Sequence, residues 1–127
     1  MSLSLPKAAL LTKSWQYQQV YRQGRRAGDK AGGFTLIFRD NGQDGDRLGI
    51  SVGGQRSAVR RNRIKRLLRE FYRLHRGLPS LVAKRASAQG VDLVVATNQR
   101  FQPQGLADIE AAFHRITGLF PTPGAQS

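Results

Sequence analysis

The spacing of apolar residues predicts a helix near each end of the chain. Residues 12–24 read "TKSWQYQQVYRQG", which Thr12 or Ser14 can cap at the start and Gly24 can end. The apolar positions of this segment fall three and four residues apart and so share one face: Tyr17, Val20 and Tyr21. Residues 106–119 follow the same rule, with four residues on one side: Leu106, Ile109, Phe113 and Ile116.

Three short segments rich in aromatic and β-branched residues predict strands. They are "FTLIFR" at 34–39, "RLGISV" at 47–52 and "VDLVVAT" at 91–97, and the last is an apolar run suited to a sheet interior. Asn-Gly and Asp-Gly pairs predict that residues 40–46 form a hairpin loop, from which the second strand returns beside the first. Residues 78–89 are ambiguous between a loop and a helical turn.

The most pronounced helical pattern lies between Ser57, which can cap it, and Gly77 and Pro79, which can stop it. At about 100° per residue, the apolar residues fall within one arc: Ile64, Leu67, Leu68, Phe71, Leu74 and His75. The opposite side is mostly cationic: Arg61, Asn62, Lys65, Arg66, Arg69, Tyr72, Arg73 and Arg76. The resulting order of helix, strands, helix, strand, helix predicts a single small α+β domain with helices packed on a sheet.

This central helix concentrates positive charge at a cost to its own stability. Four cations follow one another at i,i+4 spacing: Arg61, Lys65, Arg69 and Arg73. Like charges placed in this way repel by about 0.2–0.5 kcal/mol per pair. Glu70 is the one acid in residues 60–76. Arg60 and Arg63 lie near the positive end of the helix dipole, where an anion is favoured. A phosphate backbone would relieve this repulsion, so the pattern predicts binding to a polyanion.

Net charge extends that expectation to the whole chain. Its 127 residues include 21 lysines and arginines against 8 acids, for a formal charge of +13. Most of the cations are arginines, which suit forked phosphate contacts and stacking on bases. Nucleic acid is therefore the expected partner.

Several other classes of protein are disfavoured. The chain has no cysteine, which excludes thiolate metal sites and disulfides, and its two histidines lie far apart. Its apolar runs are shorter than the roughly 18 residues that a membrane helix needs, and its start lacks the pattern of a signal peptide. We expect a cytoplasmic protein with no membrane partner and no small-molecule substrate. Residues 1–10 are expected to form an N-terminal arm, 11–120 the RNA-binding domain and 121–127 a disordered tail.

The stretch "RLGISVGGQRSAVRRNRIKRLLREFYR", residues 47–73, resembles the signature region of the protein subunit of bacterial ribonuclease P. That family carries an Arg-Asn-Arg helix after a "GISV"-like strand, and the resemblance extends over roughly residues 11–120. It implies a ribosomal-protein-like sandwich with a left-handed βαβ crossover. It also implies a protein that binds the catalytic RNA and the 5′ leader of precursor tRNA and assists endonucleolytic removal of the leader.

The resemblance also implies site residues. Six positions correspond to the helix that faces the catalytic RNA: Arg61, Asn62, Arg63, Lys65, Arg66 and Arg69. Charge and position extend the RNA-binding set to three more: Arg56, Arg60 and Arg73. A cleft between the first helix and the sheet would hold the single-stranded leader, and its residues by position are Tyr17, Tyr21, Thr35 and Ile37. Stacking of an unpaired base on an aromatic side chain is worth about 1–3 kcal/mol. Two departures from the family are Gly53-Gly54-Gln55, where adjacent lysines are usual, and Ile37, where an aromatic residue can occur.

No catalytic constellation is visible in the sequence. Nothing forms a nucleophile–base pair or a carboxylate cluster, and Asp40, Asp44 and Asp46 are interpreted as turn residues. The resemblance implies the protein component of an endoribonuclease, and the residues predict no catalytic or metal-ligating side chains on this chain. The chemistry would use Mg²⁺ held mainly by the RNA.

Two alternatives use the same charge differently. A ribosomal or other structural RNA-binding protein would need the basic helix but would have no use for paired tyrosines beside a sheet. A basic amphipathic helix for anionic membranes is disfavoured, because the apolar arc opposite the cations is needed for the core.

Overall fold

The computed structural model describes residues 7–29, 31–43, 45–84 and 90–118. After a short 3-10 helix at Lys7–Ala9, eight elements follow in chain order: α1 (Ser14–Gln23), β1 (Arg25–Asp29), β2 (Phe34–Asp40), β3 (Arg47–Val52), α2 (Ala58–Leu74), α3 (Leu78–Val82), β4 (Val91–Thr97) and α4 (Leu106–Thr117). The predicted α+β class is confirmed.

The four strands form one sheet in the order β1-β2-β4-β3. β2 is antiparallel to both β1 and β4, whereas β3 runs parallel to β4. The predicted hairpin between β2 and β3 is therefore wrong, because β4 lies between them. The apolar side chains of β4 are buried more completely when a strand lies on each side of it, and the interior of the sheet provides that position.

β1 is an edge strand that the sequence pattern did not predict. Its residues, "RRAGD", are mostly polar and include a glycine, so they lack the aromatic and β-branched content that predicts a strand. Main-chain pairing with β2, from Arg25 opposite Phe38 to Asp29 opposite Phe34, forms the strand despite its low intrinsic preference. Charged residues on such an edge also discourage pairing with other chains.

The connection from β3 through α2 and α3 to β4 joins two parallel neighbours and is thus a βαβ crossover. This confirms the connection that the family resemblance implied, and its left hand stays a prediction. Pro79, expected only to stop α2, lies in the first turn of α3. Of the ambiguous residues 78–89, the first five form α3, and 85–89 lie outside the described residues.

The two faces of the sheet carry separate cores because successive strand residues point to opposite sides. On one face, β2, β3 and β4 meet α2 and α4 around a group of rings, in which Phe71 stacks on Phe113 at 5.1 Å and Phe34 meets Phe113 edge-on at 5.2 Å. On the other face, α1 covers Ile37 and Val94. The predicted apolar sides of α1 and α4 are confirmed.

The start of the described chain packs onto this body. Ala9 is only 3% exposed, Leu10 forms a bridge with Leu48, and the amide of Leu11 donates to the carbonyl of Leu48 at 2.8 Å. Residues 7–10 therefore belong to the domain and not to a separate arm. Residues 1–6 and the tail predicted at 121–127 lie outside the described residues.

Local contacts correct two further interpretations. Neither Thr12 nor Ser14 caps α1 through its side chain, because the side chain of Gln16 accepts hydrogen bonds from the amides of Thr12 and Lys13. The buried carboxylate of Asp46, interpreted as a turn residue, accepts instead from the amides of residues 80, 90 and 91 and from the hydroxyl of Ser80, at 2.8–3.1 Å. Asp44 lies outside the described residues.

Candidate nucleic-acid interface

α2 carries the cationic residues on a firmly held support. The hydroxyl of Ser57 accepts the amide of Arg60 at 3.3 Å, which confirms the predicted cap. Ile64, Leu68 and Phe71 are buried against the sheet and α4. The residues of α2 predicted to bind RNA are all exposed or half-buried: Arg60, Arg61, Asn62, Arg63, Lys65, Arg66, Arg69 and Arg73. Arg56 is exposed in the loop before the helix.

The last turns of α2 depart from the predicted division. Tyr72, predicted among the cations, is fully buried, and its hydroxyl donates to the carbonyl of Asp46 at 3.4 Å. Arg76 lies over the Tyr72 ring at 5.4 Å, and burial raises the pKa of the Tyr72 hydroxyl. Leu74, predicted in the apolar arc, is 52% exposed. The boundary between the two faces shifts because Tyr72 has a polar partner within the core.

Glu70 pairs with one cation of α2. Arg73 donates two hydrogen bonds to its carboxylate, from Nε at 2.5 Å and from Nη2 at 2.7 Å. These bonds hold the pKa of Glu70 below its ordinary value. Of the described residues, Glu70 is the only carboxylate in an ion pair with a cation of α2, and Arg47 pairs with the buried Asp92 elsewhere. Most of the positive charge on α2 is therefore not neutralised by the part of the chain that the structure describes.

The first turn of α2 is tied to neighbouring loops through neutral acceptors. Arg60 donates to the side-chain oxygen of Gln102, Arg61 to the carbonyl of Gln55 at 3.5 Å, and Arg63 to the carbonyl of Gln104 at 2.8 Å. Gln55 lies in the loop that departs from the family pattern. Sequence reasoning missed Gln102 and Gln104, because neither periodicity nor charge marks a glutamine some forty residues from its partner.

On the opposite face of the sheet, Tyr17 and Tyr21 are half-buried on α1. The hydroxyl of Tyr17 accepts the amide of Ile50 at 3.2 Å and donates to the carbonyl of Leu11 at 3.4 Å. Its ring leaves no space for a side chain at Gly49, where an added Cβ would lie 2.7 Å from Cε1. Tyr17 thus fixes α1 on the sheet. The Tyr21 ring has Arg26 at 6.0 Å from its centre.

A shallow strip of small side chains continues the face that α1 covers. Gly28 is opposite Thr35, Thr35 is opposite Ala96, and Ala96 is opposite Ser51, so the strip crosses all four strands. Thr35 is half-buried there, as a cleft residue would be. Ile37 is only 1% exposed beneath α1. The expectation that Ile37 lines the cleft is corrected, because it supports α1 from below and has no surface for a ligand.

The described residues offer no metal cage. No three histidine, aspartate or glutamate side chains come together among them. The two buried carboxylates already have partners, since Asp46 accepts from Ser80 and Asp92 accepts from Arg47 at 2.8 Å. A hard cation needs several free oxygen ligands, which this part of the chain does not gather. None of the described helices has the length and apolar content to cross a membrane.

Comparison with known proteins gives one consistent family. Residues 5–119 match a family model described as Ribonuclease P. A "Ribonuclease P protein component" from Desulfotalea psychrophila is 41% identical over 115 residues, covering 90% of this chain and 88% of the relative. Another, from Thioalkalivibrio sulfidiphilus, is 37% identical over 122 residues, with 94% and 92% covered.

Solved structures agree with the sequence relatives. The RNase P protein of Staphylococcus aureus superposes with a TM-score of 0.68 at 25% identity, covering 89% of this chain and 95% of that one. The RNase P protein of Thermotoga maritima gives a TM-score of 0.61 at 25% identity, with 84% and 94% covered.

Proposed function

Because this chain belongs to the ribonuclease P protein family, and is thus the protein component of the endoribonuclease that matures the 5′ end of tRNA, we propose that α2 is its contact with the catalytic RNA. Membership confirms the family identified from residues 47–73. The contact surface, called here the cationic face, comprises these residues: Arg56, Arg60, Arg61, Asn62, Arg63, Lys65, Arg66, Arg69 and Arg73.

The observation that supports this contact is the imbalance of charge on a rigid helix. An apolar stripe holds α2 on the sheet, and Glu70 is the one carboxylate of the described residues that pairs with its cations. Like charges held this close repel one another until an anion lies between them. An RNA backbone supplies that anion and releases its counterions on contact.

The opposite side of the sheet fits the single-stranded leader of precursor tRNA. Tyr17 and Tyr21 stand beside the strip of small residues, and Arg26 lies near the ring of Tyr21. An unpaired base can stack on an aromatic side chain while a neighbouring cation meets its phosphate. We assign Tyr21 and Thr35 to direct contact, and Tyr17 and Ile37 to support of the cleft.

The family implies metal-dependent catalysis by the RNA, and the described residues of this chain do not fit Mg²⁺. We propose that Mg²⁺ is held mainly by the RNA partner. The protein neutralises backbone charge and extends the substrate site along the leader. It acts in the cytoplasm, where precursor tRNA is made in bacteria. A purely structural ribosomal role has no specific observation in its favour.

Leader removal from precursor tRNA tests both contacts. The protein is added to a bacterial ribonuclease P RNA at low magnesium, and we expect faster cleavage and tighter substrate binding. Arg69→Ala should weaken binding to the RNA, while Lys13→Ala, an equal loss of charge on the other side of the sheet, should have little effect. A protein that fails to stimulate cleavage would contradict the RNA contact.

A separate variant tests the leader contact in the same assay. Tyr21→Leu keeps an apolar side chain but removes the aromatic ring, so it should weaken binding of substrate with a leader by about 1–3 kcal/mol for each base that stacks on the ring. Binding of mature tRNA, which has no leader, serves as the control. Equal losses for the two ligands would place the leader elsewhere.

A further inference from the structure

Two glutamines on separate loops form a connected pair beside the first turn of α2. The amide nitrogen of Gln102 donates to the side-chain oxygen of Gln55 at 3.1 Å and to the carbonyl of Gln99 at 2.7 Å. The remaining polar atom of Gln102, its side-chain oxygen, accepts from Arg60. All the hydrogen-bonding atoms of this side chain are therefore engaged.

Gln55 is buried beside Gln102 and is fixed by hydrogen bonds to the loop after β4. It is 8% exposed, and its amide nitrogen donates to the carbonyls of Asn98 at 3.0 Å and Phe101 at 3.4 Å. Its oxygen must then face Gln102, whose nitrogen must in turn face Gln55. Reversing either amide would set oxygen against oxygen or nitrogen against nitrogen. The pair thus has one favourable orientation, in which an oxygen is directed at Arg60.

We propose that Gln102, oriented by Gln55, is a positioning residue that holds the guanidinium of Arg60 in place before RNA arrives. The inference rests on the proposed contact between the cationic face and RNA. A guanidinium has five N–H donors, so one bond to a neutral oxygen leaves the others for phosphate. A neutral partner also leaves the charge of Arg60 intact, in contrast to the pairing of Arg73 with Glu70.

The surroundings of Arg60 leave space for a ligand. Arg60 and Gln102 together line two adjoining cavities of about 260 and 410 Å³. Arg56 and the start of α2 border the first, and Arg63 and Gln104 border the second. Ordering a long side chain on binding costs affinity, so ordering it beforehand is expected to improve affinity by about two- to ten-fold.

A mutant cycle with full-length protein and ribonuclease P RNA tests the positioning role. Gln102→Met keeps the length of the side chain and removes its hydrogen bonds, and we expect RNA affinity to fall by about two- to ten-fold. The dependence of log K on log salt should keep its slope, because no phosphate contact is lost. Gln99→Met is the matched control, since Gln99 enters the network through its main-chain carbonyl.

The decisive measurement is Gln102→Met combined with Arg60→Ala. A residue that acts through Arg60 should have no further effect once Arg60 is absent. A loss that persists in the double variant, or that accompanies a lower melting temperature of the single variant, would identify a general structural role and overturn the inference.

Failure of the inference is distinguishable from failure of the proposed contact. If Arg60→Ala weakens RNA binding and Gln102→Met does not, only the positioning role is wrong. If Arg60→Ala has no effect, the cationic face itself does not use this position. Gln102→Glu gives an independent check: its carboxylate loses the amide bonds to Gln55 and Gln99 but pairs with Arg60 and cancels its charge, so both affinity and salt slope should decrease. An unchanged slope would count against a charged role for Arg60.

Discussion

At the scale of single residues, Glu70 determines how much of the charge on α2 is available to a ligand. Its two hydrogen bonds from Arg73 hold the pKa of its carboxyl below the ordinary value. The pair is therefore intact at neutral pH, and its contribution is lost only as the pH falls through that lowered pKa. In the physiological range, the charge of Arg73 is therefore already paired with Glu70.

Replacing Glu70 by glutamine should strengthen RNA binding. Glu70→Gln frees Arg73, and one additional contact to duplex phosphate makes log K fall more steeply with log salt, by about 0.9. Binding titrations at several salt concentrations measure both changes. Glu110→Gln on α4 removes the same charge away from Arg73 and is the control. An unchanged slope would mean that Arg73 lies outside the interface.

Some residues of the site could be predicted from the sequence, and others could not. The outward cations of α2 follow from helical spacing, which is a local property. The burial of Tyr72 depends on a carbonyl at Asp46, and the role of Gln55 depends on Gln102. Such partners are distant in sequence, and no composition rule identifies them.

At the scale of elements, α2 combines favourable burial with unfavourable charge. Its apolar stripe contributes about 1.5–3 kcal/mol for each large side chain buried. The row of like charges opposes folding by a few tenths of a kcal/mol per pair. Burial is the larger effect, so the helix persists in the free protein and presents its cations without RNA.

Lys65 is the position where this balance can be measured. It lies four residues from both Arg61 and Arg69, so Lys65→Gln removes two repulsive pairs and should stabilise the free protein by about 0.4–1 kcal/mol. The same change should weaken RNA binding. Denaturant unfolding and RNA titration of one protein sample give both values. A loss of stability together with weaker binding would show that Lys65 has a structural partner.

Periodicity predicted most elements but not their arrangement. α1, α2, α4 and the three apolar strands have local signatures. β1 does not, because its polar sequence becomes a strand only through pairing with β2. The place of β4 between β2 and β3 likewise depends on pairings between residues 45 to 63 positions apart in sequence, which turn signals in residues 40–46 could not disclose.

At the scale of the whole molecule, Asp46 joins parts of the chain that are far apart in sequence. Its carboxylate binds the amides of Ser80, Gly90 and Val91, and so connects the loop before β3 to α3 and to the start of β4. These hydrogen bonds link the start of the βαβ unit, just before β3, to the end of its crossover at β4. A buried acceptor with several donors stabilises the fold because each donor would otherwise be unsatisfied.

Asp46→Asn should destabilise the protein by about 1–3 kcal/mol, since one acceptor oxygen becomes a donor facing other donors. Unfolding in urea measures the change. Glu110→Gln, which removes the same unit of acidic charge on α4, should stay within about 0.5 kcal/mol of the parent. Equal effects of the two would mean that net charge, and not the buried contacts, determines the result.

The interior position of β4 has a consequence for biosynthesis. β2 and β3 leave the ribosome before the strand that separates them, so each exposes an unpaired edge until residue 97 has emerged. α2 meanwhile lacks both the completed sheet and α4 to rest on. A nascent chain that stops short of β4 would therefore carry the arginines of α2 on an incomplete sheet, and the protein should become competent for assembly only after β4 has left the ribosome.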